Sequence, residues 1–332
     1  MEKNIPFFGA FFFGFVPMFL FAALINWLDR YEKEPKILLG ATFGWGAIIA
    51  AGFAFVLNTV SGMGIYAVTG SQGAAEFGIS SIVAPFVEES FKGLAVFIVF
   101  LFFRHEFDSV LDGIVYAAIT AMGFAATENV LYIYRNGYLE GGWTGFWTLV
   151  FIRVLLVGWM HPFFTAFTGI GLALSRISTN AVIKIFAVPI GFAAAVFTHA
   201  FHNTFSGLVD GLGGFLVGTA IDYLGYALMF GFILWMILHE RNLLRHHLRE
   251  EVDKGYLSQG QYNSALAFFQ TNAYLSALLS GTFRKTARFY QVCGELAHKK
   301  EQLKRLGEER GNSRIIEDLR SEMVALAQVA KM

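Results

Sequence analysis

The chain has 332 residues, of which 55% are hydrophobic and 17% aromatic but only 15% charged, and its mean hydropathy is +0.53. A soluble domain of this size carries about 25% charged residues, so most of the chain is not built for water. Lys+Arg and Asp+Glu balance at 25 each, which argues against a nucleic-acid partner. The one cysteine, Cys293, permits no intramolecular disulfide and fits a reducing compartment.

A membrane crossing needs roughly 20 apolar residues, and seven stretches qualify: 7–28, 37–60, 77–103, 111–134, 146–174, 185–207 and 215–238. The first is too long for a signal-peptide core and lacks a small-residue cleavage site, so it reads as an anchor. Short loops after spans one, three and five carry Arg30, Lys33, Lys36, Arg104, Arg176 and Lys184, whereas the alternate side offers Lys3 and Arg135. The positive-inside rule therefore places the N-terminus outside and the tail, which opens with Arg241, Arg245 and Arg249, inside. Trp27, Trp143, Trp147 and Trp235 fall near span ends, as interfacial aromatics do. Gly and Ala in spans two, four and six predict close helix packing.

The fold expected is all-α: a polytopic transmembrane helical bundle, residues 1–239, followed by a soluble helical tail, residues 240–332. The tail pattern breaks near Gly255, Gly260 and Gly281. Residues 283–306 read as a basic amphipathic helix and 313–330 as another, together a helical cap or a docking module.

Ionisable residues inside the spans carry the chemistry. A charged side chain at mid-bilayer costs about 2.5–3.5 kcal/mol on the insertion scale, so such groups face the protein interior. Span three holds Glu88, Glu89 and Lys92; span four, Glu128; span five, Arg153 and His161; span six, His199, His202 and Asn203; span seven, Asp222. Glu88 and Lys92 stand i,i+4 in the favourable order, and His199 and Asn203 share a helical face by the same spacing. At 1.5 Å per residue, Glu88, Glu128, His199 and His161 lie roughly 16, 9, 12 and 20 Å below the outer ends of their spans. Acid and imidazole groups from four helices thus meet in the outer half of the bilayer. Adjacent glutamates in low dielectric cannot both ionise cheaply, and Lys92 offsets that cost; the outcome is a carboxylate suited to taking a proton from water. Histidine and asparagine one turn apart suit a developing oxyanion. Arg153, His202 and Asp222 read as structural or interfacial groups.

Three motifs in order, Glu88-Glu89-Ser-Phe-Lys92, Phe124-Ala-Ala-Thr-Glu128 and His199-Ala-Phe-His-Asn203, resemble the EExxK, FxxxE and HxxxN pattern of the PrsW family of bacterial intramembrane proteases, within the superfamily of type II CAAX prenyl endopeptidases and Abi proteins. The stretches Asp29–Pro35, Asp112–Ala118 and His161–Thr165 look similar as well, so the resemblance spans about residues 15–240. It implies a glutamate-dependent, metal-independent endopeptidase of the bacterial cytoplasmic membrane, with the tail in the cytoplasm. Glu88 or Glu89, preferably Glu88, would activate a water, Glu128 would help hold it, and His199 and Asn203 would stabilise the oxyanion. Glu89 with Lys92 would set the geometry of the pair, and His161 would give further polar support. The substrate implied is a single-pass membrane protein such as an anti-sigma factor, cut on the extracytoplasmic side, with membrane lipids as the other partners. Glu128 stands where the prenyl endopeptidases have a histidine, which weakens transfer of their water-binding arrangement.

Neither HExxH, GxSG nor GxGD occurs. A metal-dependent variant stays open, since Glu88, Glu128, His161 and His199 are zinc-ligand types. Membrane carboxylates and histidines also build proton-coupled transporters, and a partner-binding sensor without chemistry is the third reading.

Overall fold

The computed structural model describes residues 4–29, 31–208, 211–309 and 311–332; Lys3 and Arg30, used above for orientation, lie outside them. Among the described residues every regular element is helical. Five stretches are long and apolar enough to cross a membrane: Ile5–Leu28, Lys36–Thr69, Val110–Ile177, Ala181–Phe205 and Gly213–Asp253. The chain is a multi-pass membrane protein, and it divides into two units, Met1–Trp27 with Glu34–Phe232, and Leu28–Lys33 with Ile233–Met332.

In the first unit, α1 (Ile5–Leu28) buries Pro6, Ala10, Gly14, Met18 and Ala22 at four-residue intervals and leaves Phe8 and Leu20 exposed, the one-sided burial of a helix at a bundle's lipid edge. Helices α2 (Lys36–Gly44) and α3 (Ala51–Thr69) are joined by a π-helical segment, Trp45–Ala50. Then come α4 (Gln72–Gly78), a π-helical turn at Ile79–Val83, and α5 (Ala84–Phe102).

Helix α6 (Val110–Leu131) is the axis of this unit, buried along nearly its whole length and started by a Ser109–Asp112 capping box. Small residues let its neighbours approach. A Cβ on Gly46 would sit 1.9 Å from the Thr120 carbonyl oxygen, and one on Gly123 would sit 2.0 Å from that of Phe43. The same contact joins Gly113 and Gly169 between α6 and α8 (Met160–Ile177); between α8 and α9 (Ala181–Leu208), a Cβ on Gly171 would meet the Ala187 carbonyl oxygen and one on Gly191 that of Phe167, each at 2.4 Å. The packing expected from Gly and Ala in spans two, four and six is present.

Between α6 and α8 the chain runs through a π-helical stretch, Tyr132–Leu139, then α7 (Glu140–Val150), then a second π-helical stretch, Phe151–Leu156. It reverses at Gly142, whose φ of +59° only glycine adopts easily, and Gly137 and Gly145 meet across the turn. The span expected at 146–174 is not one continuous helix. It breaks at residues 157–159, because α8 starts afresh at Met160 with Pro162 in its first turn, the place where a missing N–H costs least.

Helix α10 (Gly211–Asp253) runs from the first unit into the second, which also holds α11 (Gln259–Ala265), α12 (Thr271–Leu279), α13 (Phe283–Leu306) and α14 (Asn312–Ala327). Phe289, Val292, Cys293, Leu296 and Met323 form its core. Buried Glu251 binds Lys300 at 2.9 Å and takes two hydrogen bonds from Arg320. The breaks expected at Gly255 and Gly281 coincide with positive φ, but Gly260 lies inside α11, where a Ser258–Gln261 capping box starts the helix just ahead of it. Residues 28–33, which connect α1 to α2, belong to this unit: a Cβ on Gly294 would meet the Tyr31 carbonyl oxygen at 1.8 Å.

Candidate active site

Helix α5 turns a buried face inward through Pro85, Glu88, Glu89, Lys92 and Val96. The ion pair on it is not the i,i+4 pair expected from spacing. Lys92 Nζ lies 2.5 Å from Glu89 Oε1, and both side chains are fully buried. Glu89 wins because α8 and α9 stand on its side: Oε1 also meets His199 Nδ1 at 2.9 Å, and Oε2 accepts from Thr165 Oγ1 at 2.8 Å. Both oxygens of this carboxylate thus hold a donor, Lys92 from its own helix and His199 and Thr165 from α9 and α8.

The network continues across the unit. Lys92 Nζ reaches His161 Nδ1 at 3.3 Å and lies 4.6 Å from the centre of the Phe124 ring. His161 Nε2 meets Glu128 Oε2 at 2.8 Å, and Arg153 donates to the same carboxylate oxygen. Arg153 Nε donates to Asn129 Oδ1 at 3.1 Å, and its guanidinium lies 4.2 Å from the centre of the Tyr132 ring. Lysine only donates, so His161 accepts at Nδ1 and carries its proton on Nε2, toward Glu128.

Glu88 stands apart from this chain. Its Oε1 takes a 3.4 Å contact from Asn58 Nδ2, while Oε2 is buried with no hydrogen-bond partner and lies 3.8 Å from His199 Nε2. With Nδ1–H given to Glu89, neutral His199 presents its Nε2 lone pair. That nitrogen is then an acceptor rather than the donor expected for an oxyanion. Phe164 stacks on the His199 ring at 4.8 Å and fixes its plane.

Glu88, Glu128, His161, His199 and Asn203 all line one cavity of about 480 Å³, with Arg153, Asn58 and His202 in its wall. Asn203 Nδ2 donates to the Ser80 carbonyl at 2.9 Å, on the π-helical turn at Ile79–Val83, leaving its second amide hydrogen for other use. Glu89 and Lys92 sit behind the wall. His202 pairs with Asp222 at 2.9 Å on the flank. The depth convergence read from span positions is therefore a convergence in space.

Thr165 and Asn58 escaped sequence reading, whereas Arg153, read from sequence as structural or interfacial, holds Glu128. Thr165 stands i,i+4 from His161, a spacing that could have marked it. Asn58, the one amide side chain in the apolar stretch 37–60, carries a weaker signal. π-Helical segments flank the site at Trp45–Ala50, Ile79–Val83, Tyr132–Leu139 and Phe151–Leu156, as such bulges do at functional sites.

Within the site, Glu88, His161 and His199 are the metal-ligating set, their donor atoms lying within 4.8 Å of one another. One carboxylate and two imidazoles form a set that zinc accepts. Glu89 behind His199 is the outer carboxylate such imidazoles use. The bare Glu88 Oε2 is a donor in waiting, although His161 would have to release Lys92 or Glu128.

A family model described as PrsW family intramembrane metalloprotease matches residues 34–238. Among curated proteins, a protease PrsW of Geobacillus kaustophilus is 36% identical over 109 residues, 33% of this chain and 45% of that protein. One of Bacillus subtilis is 26% identical over 152 residues, 46% of this chain and 62% of that protein. One of Clostridioides difficile is 32% identical over 136 residues, covering 40% and 55%. The chain thus spans about half the length of the curated relatives it matches. No solved structure matches.

Proposed function

The chain belongs to the PrsW family, and on that premise we propose that it is an intramembrane endopeptidase that hydrolyses a peptide bond of a single-pass membrane protein. The observation that carries this reading is the Glu88 carboxylate: one buried oxygen without a hydrogen bond, on a cavity wall, facing an imidazole lone pair.

Glu88 Oε2 and His199 Nε2 offer two acceptors to the two protons of one water, leaving its oxygen lone pair for attack. As that oxygen adds to the substrate carbonyl carbon, Glu88 takes a proton, and it returns one to the amide nitrogen as the C–N bond breaks. The second amide hydrogen of Asn203 and the Arg153 guanidinium, both on the cavity wall, are the donors for the tetrahedral oxyanion. Glu128 positions Arg153, and Glu89 fixes the tautomer of His199. The role proposed for His199 is thus to hold the water, not to stabilise the oxyanion.

A second reading rests on the donor set Glu88, His161 and His199. A divalent ion held there would supply an acidified water when bound. By the positive-inside argument the N-terminus lies outside and the tail in the cytoplasm of a bacterial cell, so the cut falls toward the extracytoplasmic side. An anti-sigma factor is the substrate class to try first.

The test reconstitutes wild type and Glu88→Gln with a panel of single-pass substrates, anti-sigma factors among them, with and without chelator. Cleavage by wild type in chelator and none by the variant supports the glutamate reading. Cleavage by wild type that chelator abolishes supports the metal reading. Equal cleavage by both proteins sinks Glu88 as the base.

A further inference from the structure

The second unit carries an apolar surface that its own core does not use. On α12, Leu275, Leu278 and Leu279 stand at i, i+3 and i+4 and are 55%, 65% and 82% exposed, while Ala273 and Ala277 on the opposite face are buried. Phe269 just before the helix and Phe283 just after it are exposed too. Gly281, with φ of +69°, makes the turn that brings Phe283 onto the start of α13, and Tyr274 touches its ring at 5.6 Å. Isolated exposed leucines need no explanation, but an amphipathic helix with its apolar stripe facing out does.

Charge identifies the occupant. The chain is neutral overall, yet residues 254–294 contain no Asp or Glu, while carrying Lys254, Arg284, Lys285 and Arg288. Two of these are engaged, Lys254 with Glu250 and Arg288 with Glu295 and Glu322. Arg284 and Lys285, directly beside Phe283, are exposed and form no ion pair among the described residues. Exposed leucine and phenylalanine rimmed by unpaired cations, with acids excluded, is the composition of a surface that lies in the headgroup region of an anionic bilayer. The tail follows an apolar span on the continuous helix α10, so a bilayer is held at high effective concentration.

We propose that α12 and the start of α13 form an interfacial foot, with Leu275, Leu278, Leu279 and Phe283 inserted among lipid acyl chains and Arg284 and Lys285 on anionic headgroups. This stands independently of the protease reading.

The experiment labels Leu279→Cys with a fluorophore in the full chain carrying Cys293→Ser. The protein is reconstituted into nanodiscs of phosphatidylcholine alone or with phosphatidylglycerol. A label at Asp318→Cys, an exposed position on α14, is the control. In anionic discs, nitroxide on the acyl chains should quench the label at 279 and aqueous iodide should not. Arg284→Glu with Lys285→Glu should restore iodide access, while the control stays open to iodide throughout. Iodide access at 279 in both lipids overturns the proposal. Shielding that persists in detergent and in neutral discs also overturns it, and assigns the face to another protein surface.

Discussion

Glu89 accepts a hydrogen bond from His199 Nδ1 at 2.9 Å, and this turns the other imidazole nitrogen toward Glu88, 3.8 Å away. Two adjacent glutamates therefore do different work. Glu89 is committed on both oxygens to Lys92, His199 and Thr165, whereas Glu88 keeps one oxygen bare.

The two glutamine variants should separate along that line. Glu88→Gln removes the base without removing an ion-pair partner, so cleavage is lost while thermal stability in detergent stays near wild type. Glu89→Gln leaves Lys92 buried and unpaired, a loss of about 3–5 kcal/mol for a broken buried pair. It should lower both activity and melting temperature. Activity assays alongside thermal unfolding check both, and equal unfolding of the two variants would contradict the division of labour.

Glu128 holds Arg153, the proposed oxyanion donor on the cavity wall. Arg153→Ala should lower kcat by about 10²–10³-fold, the usual effect of losing one oxyanion donor, with a smaller change in KM. Glu128→Gln added to it should cost little more, because the two side chains share one interaction. Full additivity in the double-mutant cycle would show that they act separately.

Chelator treatment tests the metal question with a second readout. We expect cleavage to persist and purified protein to hold no stoichiometric zinc. Were zinc present at one per chain, His199→Gln should abolish its binding whether or not the sample is active.

In the tail, burial pushes the Cys293 thiol well above its ordinary range, so the native thiolate is scarce. Maleimide should leave Cys293 unmodified until the tail unfolds. Gly294→Ala places a methyl group against the Tyr31 carbonyl, an overpacking costing about 1–3 kcal/mol. Maleimide should then modify Cys293 faster than in wild type. An unchanged rate would mean that this contact does not hold the tail together.

Much of the site was readable because the bilayer makes polar side chains expensive. Glu88, Glu89, Lys92, Glu128, His161, His199 and Asn203 stand out in apolar helices, and the structure brings them together. Helical spacing tells which residues share a face but not which neighbouring helix stands opposite. Spacing alone therefore pairs Lys92 with Glu88, whereas α8 and α9 draw it to Glu89, the partner the family resemblance implied. Arg153 could not be attached to Glu128 by sequence, because they lie 25 residues apart across the reversal at Gly142.

The sequence by itself determined an all-helical, multi-pass membrane protein with a helical tail, since hydrophobic runs and the cost of unpaired backbone in lipid leave few alternatives. It also determined which polar groups had to seek company. Only the tertiary structure decided who pairs with whom, which glutamate keeps an oxygen bare and where the fifth span breaks. It also put residues 28–33 with the tail through Gly294. Those outcomes depend on close approach between segments far apart in the chain, and local propensity holds no record of such contacts.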